Sequence, residues 1–186
     1  MENRLIIGIS GASGAPIAIA LLKALKNTNI ETHLVISRGG EMTIKQETSM
    51  MPHQVYDLAD VVYEYSNIGA APASGSYKTM GMVIVPCSMK TVAGIYGGYS
   101  DNLLLRAADV TLKEHRKLVL ITRECPLSAI HLRNMYELSR MGTVILPPML
   151  SYYNQPQMIE DATHHVVGKI LDQFGIDYSL FKRWEG

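Results

Sequence analysis

The sequence predicts a single α/β domain built on a doubly wound parallel sheet. Three observations carry that prediction. Short, branched apolar runs recur along the chain, amphipathic stretches at helical spacing separate them, and the first run ends in a glycine-rich turn. Runs that are apolar throughout suit strands buried on both faces, and parallel sheets covered by crossover helices bury their strands in that way.

The elements follow in order. Arg4-Leu5-Ile6-Ile7-Gly8-Ile9-Ser10 is the first strand, and Gly11-Ala12-Ser13-Gly14-Ala15-Pro16 turns sharply after it. Ile17, Leu21, Leu22 and Leu25 then fall on one helical face. Pro16 fits the first turn of that helix, where its missing N–H costs nothing. Residues 32–37 read as the second strand and 41–47 as a helix, while 82–86 and 118–122 are buried strands. A last strand, 144–146, stops against Pro147-Pro148. Helical spacing covers 90–95, 102–115, 128–140 and 157–174. The stretch 67–76, rich in Gly, Ala, Pro and Ser, is a loop too short to divide domains. One domain therefore spans 1–186, with a tail from about 176 whose aromatic and basic residues are those of a segment docking on a neighbouring subunit.

Composition narrows the function. A chain of 186 residues, 47% hydrophobic, is long enough to bury about 70% of the surface its unfolded form exposes. Seventeen Lys and Arg balance seventeen Asp and Glu, which argues against a broad electrostatic grip on nucleic acid or an anionic membrane. Two cysteines are too few for a disulfide framework. No apolar run approaches the ~18 residues of a membrane span, and Met1-Glu2-Asn3-Arg4 lacks the pattern of a signal peptide. The expected location is the cytoplasm.

In doubly wound sheets, ligands bind beyond the carboxyl ends of the strands. Here that rule selects the loops 11–14, 37–40, 87–91, 123–128 and 147–155. With the residues that border them, they carry Ser10, Ser13, Ser37, Ser88, Thr91, Ser128 and several glycines, with little negative charge. Hydroxyls and free N–H groups at helix starts suit a phosphate and the polar edge of a planar ring. Gly8, Gly11 and Gly14 are spaced by three, unlike the dinucleotide fingerprint or a Walker A loop. A mononucleotide phosphate, a flavin, or a tight turn that binds nothing remain. Ser88 either caps the helix it opens or faces a ligand. Cys87 has no identifiable base beside it and reads more readily as a small buried hydrophobe than as a nucleophile.

Basic residues form a second pattern. Arg106 and Lys113 lie seven apart on one predicted helix face, and Arg123-Glu124 sits where a strand runs into a loop. An arginine there can grip phosphate through two parallel hydrogen bonds. The alternative is a solvated ion pair worth ~0–1 kcal/mol, the better reading for Lys113. Tyr152-Tyr153-Asn154, Lys169 and Phe181-Lys182-Arg183-Trp184 make up the last cluster. His164 and His165 are adjacent and point apart on a helix, and His33 and His131 have no H-x-x-x-H spacing, so no metal site is predicted.

The run Ile7-Gly8-Ile9-Ser10-Gly11-Ala12-Ser13-Gly14-Ala15 closely resembles the start of UbiX-type flavin prenyltransferases, formerly described as a component of phenolic-acid or hydroxybenzoate decarboxylases. The likeness continues through Glu31-Thr32-His33-Leu34-Val35-Ile36-Ser37, Pro86-Cys87-Ser88-Met89-Lys90-Thr91 and Arg106-Ala107-Ala108-Asp109-Val110. It runs on over Lys117-Leu118-Val119-Leu120, Arg123-Glu124-Cys125-Pro126-Leu127-Ser128, Met141-Gly142, Pro147-Pro148-Met149, Tyr153 and Trp184. It implies a flavodoxin-like (Rossmann-like) subunit in a large homo-oligomer, often a dodecamer, with active sites between subunits. The implied reaction joins a dimethylallyl group from dimethylallyl monophosphate to N5 and C6 of reduced FMN, without a metal, and the product serves a UbiD-type decarboxylase. By matching motif, FMN contacts fall on Gly11, Ala12, Ser13, Ser37, Ser88, Met89, Lys90, Thr91 and Arg123. The prenyl phosphate meets Arg106, Lys113, Arg123, Tyr153 and Lys169. Ser13, Glu47 and Glu124 handle protons, and Trp184 lies beside the reacting allyl group.

Two departures stand out. Lys169 replaces an arginine common among relatives, keeping the charge but losing the planar fork. The chain stops at Gly186, where many relatives continue. Two rival functions share this chemistry. An FMN-dependent cysteine decarboxylase-like enzyme needs an early histidine and a P-x-M-N motif, but Pro147-Pro148-Met149-Leu150 stands here and no histidine follows the first turn. An FMN-binding accessory or carrier subunit needs one phosphate site, fewer cations than this chain offers.

Overall fold

The structure is a computed structural model that describes residues 3–184. Six strands form one parallel sheet: β1 (Arg4–Ile9), β2 (Glu31–Ile36), β3 (Val61–Tyr63), β4 (Gly81–Cys87), β5 (Lys117–Thr122) and β6 (Val144–Ile145). Their order is β3-β2-β1-β4-β5-β6. Without the short edge strand β3, the remaining five run 2-1-3-4-5, the flavodoxin order, so the expected fold class holds. The winding reverses between β1 and β4, with the helix after β1 on one face of the sheet and the helix after β4 on the other. The crevice at such a switch point is where doubly wound sheets receive ligands, at the carboxyl edge.

Seven helices cover the sheet: α1 (Ala15–Leu25), α2 (Arg38–Glu47), α3 (Pro52–Tyr56), α4 (Met89–Tyr96), α5 (Leu103–Lys113), α6 (Ala129–Arg140) and α7 (Ile159–Gln173). The pairing Ile7↔Leu34 and Ile7↔Val83 fixes which side chains share a face. Leu5, Ile7, Ile9, Leu34, Val83 and Val119 pack against α1 and α7. Ile6, Val35, Met82, Ile84, Leu118 and Leu120 pack against α4, α5 and α6. Alternate residues of each strand thus enter two cores, which is why the strands are apolar at nearly every position. Each fully buried Leu or Ile contributes about 1.5–3 kcal/mol of transfer free energy.

The structure adds elements the sequence reading missed. Residues 67–76 contain one turn of 3-10 helix at Ala71–Ala73, and α3 and β3 lie just before that loop. Helix α2 starts three residues earlier than its spacing implies. The Ser37 hydroxyl accepts from Gly40 N at 3.1 Å and sets the start, even though Gly39 and Gly40 are poor helix formers. Glycine is needed there because a Cβ at Gly40 would lie 2.6 Å from the Ile9 carbonyl oxygen.

Within one protomer the tail folds back on the chain. Tyr178 OH lies 2.5 Å from His164 Nδ1, and a Cβ at Gly168 would collide with the Phe181 ring. Residues 178–183 are therefore seated on the chain's own α7, which leaves Trp184, 70% exposed, facing outward. The last two residues of the expected docking segment, Glu185 and Gly186, lie outside the described residues.

Candidate active site at the carboxyl edge of the sheet

Ser10 fastens the crevice. Its hydroxyl donates to the Pro86 carbonyl at 3.0 Å and accepts from Ser88 N at 2.8 Å. It is buried, with its proton given to Pro86, which makes it a brace between β1 and β4. The adjoining turns meet backbone to backbone, since a Cβ at Gly11 would lie 2.9 Å from the Gly39 Cα. The turn that carries Gly11, Ala12 and Ser13 is thereby held against the start of α2, which Ser37 caps.

Glu47 occupies a place that sequence alone did not reveal. It ends α2, yet its Oε2 accepts from Gly14 N at 2.8 Å and Ala15 N at 2.9 Å, capping α1. Two of the helix-start N–H groups expected to receive an anion already hold a carboxylate. Recognition of a ligand phosphate then falls to side chains and to the other loops. Glu47 also lines a groove of about 1020 Å³ between α1, the end of α2, α7 and the tail.

Ser88 caps α4, accepting from Thr91 N at 3.3 Å, with the two hydroxyls 3.0 Å apart. The capping reading is correct, and each hydroxyl keeps further hydrogen-bonding capacity. Between them Met89 is buried and Lys90 is exposed. Cys87 is fully buried, which pushes its thiol pKa well up and keeps it neutral. A neutral thiol is a poor nucleophile.

Arg123 N donates to the Cys87 carbonyl at 3.1 Å, tying the loops after β4 and β5 together. Its guanidinium is exposed and forms no ion pair among the described residues. Glu124 does not neutralise it, because the Glu124 carboxylate accepts from Cys125 N at 3.0 Å in its own loop. Among the buried polar atoms without a partner in the described residues are Thr122 Oγ1 at the end of β5, and Ser151 Oγ and Asn154 Oδ1 in the segment after β6. Hydroxyls, orphaned acceptors and one unpaired arginine at a carboxyl edge fit a flavin mononucleotide, with its one phosphate and polar ring edge. Thr122 was missed from sequence, where a hydroxyl at the end of a strand was the available signal, and Ser151 was passed over inside the selected loop 147–155.

The other cations are distributed differently. Arg106 Nη1 pairs with Asp109 Oδ2 at 2.7 Å in the first half of α5. Lys113 pairs with Glu114 at the end of that helix, four residues before β5 begins. Seven residues of helix separate the two by about 10 Å, and Lys113 ends at the amino edge of the sheet. The structure therefore does not bring Lys113 to Arg123 within one protomer.

Tyr153 and Trp184 do meet, edge to face, with ring centroids 5.5 Å apart. His165 lies 5.8 Å from Tyr153 on its other contact, and burial, then the charge of Lys169, lower its pKa. Lys169 Nζ is 3.9 Å from Asp172 Oδ2. Among the described residues no three His, Cys, Asp or Glu side chains gather as a metal ion requires, and no helix is long and apolar enough to cross a membrane.

Comparison with known proteins gives a consistent picture. The family described as Flavoprotein matches residues 1–174. A probable UbiX-like flavin prenyltransferase of Sedimentibacter hydroxybenzoicus is 53% identical over 184 residues, covering 98% of this chain and 97% of that protein. The structure of a dodecameric FMN-dependent UbiX-like decarboxylase from Escherichia coli O157:H7 superposes with a TM-score of 0.97 at 52% identity, covering 98% of this chain and all of that one. AnUbiX (PadA1), solved with FMN and dimethylallyl pyrophosphate, gives a TM-score of 0.98 at 48% identity, covering 100% of this chain and 99% of its own.

Proposed function

The chain belongs to the UbiX-like flavin prenyltransferases, and on that premise we propose how its residues divide the work of joining a dimethylallyl group to reduced FMN. The carrying observation is the exposed Arg123, without an ion pair among the described residues, at the carboxyl end of β5 in a loop whose backbone is bonded to Cys87, the residue before Ser88. Reduced FMN supplies N5 and C6, the atoms that take the allyl group. Gly11, Ala12, Ser13, Ser37, Ser88, Met89, Lys90 and Thr91 hold the flavin, and Arg123 stands between flavin and prenyl donor.

The donor is dimethylallyl monophosphate. Its departure places charge on the bridging oxygen, and Arg123, Tyr153 and Lys169 receive that charge together with Arg106 and Lys113 of neighbouring protomers. One preorganised oxyanion donor contributes about 2.7–4 kcal/mol, and each ~1.4 kcal/mol is tenfold in rate. The faces of Trp184 and Tyr153 stabilise the allyl cation left behind, by about 2 kcal/mol where water is excluded. Glu124 acts as acid toward the leaving phosphate. Ser13 and Glu47 take the proton lost as the new ring forms, with Glu47 Oε2 already committed to α1 and Oε1 left to accept.

Because Lys113 and Arg123 lie at opposite edges of the sheet, the complete site needs more than one copy of the chain, and we assign the protein to a cytoplasmic homododecamer. The prenylated flavin passes to a UbiD-type decarboxylase. Incubation with reduced FMN and dimethylallyl monophosphate, followed by mass spectrometry of the flavin, tests the reading. The expected result is a gain of one dimethylallyl unit. Flavin recovered bound but unmodified would instead point to a carrier.

A further inference from the structure

The described end of the tail is held by one charge contact of defined geometry. Arg183 directs both terminal nitrogens to the two oxygens of Asp172, at 3.0 and 2.7 Å. This is the planar fork-to-fork arrangement that gives an ion pair direction as well as strength. The guanidinium also lies 4.6 Å over the Phe181 ring, which rests on Gly168. Trp184 follows Arg183 directly, and its ring meets Tyr153 although most of its surface is exposed.

Asp172 faces a second cation. Lys169 Nζ lies 3.9 Å from the same carboxylate, at the long limit of ion pairing. Arg183 engages both oxygens of Asp172, so Lys169 is only loosely held and its charge stays available to an anion. Without Arg183, Asp172 would draw in Lys169 as its remaining partner.

We propose that Arg183 and Asp172 form a latch that positions Trp184 against Tyr153 and keeps Lys169 free for the prenyl phosphate. Both are positioning residues, and the inference rests on the assignment of Lys169 and Trp184 to the site given above. Among the described residues the hydrogen bonds and ion pairs of Arg183 and Asp172 run to each other and to Lys169, none to the flavin loops after β1, β2 and β4, so the loss of the latch acts on the prenyl donor.

Trp184 is the sole tryptophan of the chain, so its fluorescence anisotropy in the full-length protein reads the latch independently of turnover. In Arg183→Gln the anisotropy falls and the KM for dimethylallyl monophosphate rises about five-fold, equivalent to ~1 kcal/mol, with unchanged FMN affinity. Arg183→Lys, which keeps the charge but not the fork, falls between the two. Asp172→Asn frees the tail equally but leaves Lys169 without a competitor, so its KM rises less than that of Arg183→Gln. Wild-type anisotropy and KM in Arg183→Gln would overturn the latch, and equal KM values in Arg183→Gln and Asp172→Asn would overturn its effect on Lys169. Lys169→Ala separates this inference from the site reading. An unchanged KM there contradicts the phosphate site itself, whereas a raised KM there beside an unmoved Arg183→Gln contradicts the latch alone.

Discussion

His33 shows what one residue contributes when a polar group enters a sheet core. It sits in β2 with Nδ1 2.9 Å from Tyr63 OH and Nε2 3.3 Å from Tyr77 OH. Burial lowers its pKa from 6.5; Glu31 opposes that shift, Arg4 adds to it and Asp60 opposes it weakly. The unfolded chain therefore takes up a proton near 6.5 that the folded chain refuses. Stability contributed by neutral His33 is full above 6.5 and declines as pH falls from 6.5 toward the folded value. Urea midpoints measured from neutral to mildly acidic pH check this, with the slope expected to flatten in His33→Gln. An equal slope in that variant contradicts the assignment. The sequence placed His33 in a strand, but its two tyrosine partners come from residues 63 and 77 and no local pattern links them. Glu47 is similar, because its bonds to Gly14 and Ala15 span more than thirty residues.

Caps set the helix starts at the scale of elements, and two of them separate folding from binding. Ser88 caps α4 at the site, while Ser128 caps α6, accepting from His131 N at 3.3 Å. Replacing either serine by alanine costs about 0.5–2 kcal/mol of stability. Only Ser88→Ala is expected to weaken FMN binding as well, measured by flavin fluorescence titration beside denaturant melts. Equal FMN affinity in both variants would return Ser88 to a purely structural role. The long apolar strands and the amphipathic helices were legible because their periods repeat several times. Strand β3 was not, since Val61, Val62 and Tyr63 are three residues at an edge with Val62 exposed. Helix α3 has five residues and owes its start to Gln54 Oε1 accepting from Met51 N at 2.7 Å. Neither is long enough to display a period.

At the scale of the whole molecule, the winding order could be anticipated as a class, because alternating strands and helices admit few topologies. The partition of the cations could not. Seven-residue spacing placed Arg106 and Lys113 on one helical face, yet that helix runs from the carboxyl to the amino edge of the sheet and carries Lys113 away from Arg123. A phosphate site that uses both must join two protomers, as closed symmetric assemblies allow. Oligomers of Lys113→Ala and of Arg123→Ala, dissociated, mixed and reassembled, test that claim most directly through the mass of the flavin product. Each parent is expected to lose about 100-fold or more in prenyl transfer. The mixture should regain activity at roughly a quarter of its sites, where an intact Arg123 meets an intact Lys113 across an interface. A mixture as inactive as its parents, or parents as active as the wild type, would contradict the account.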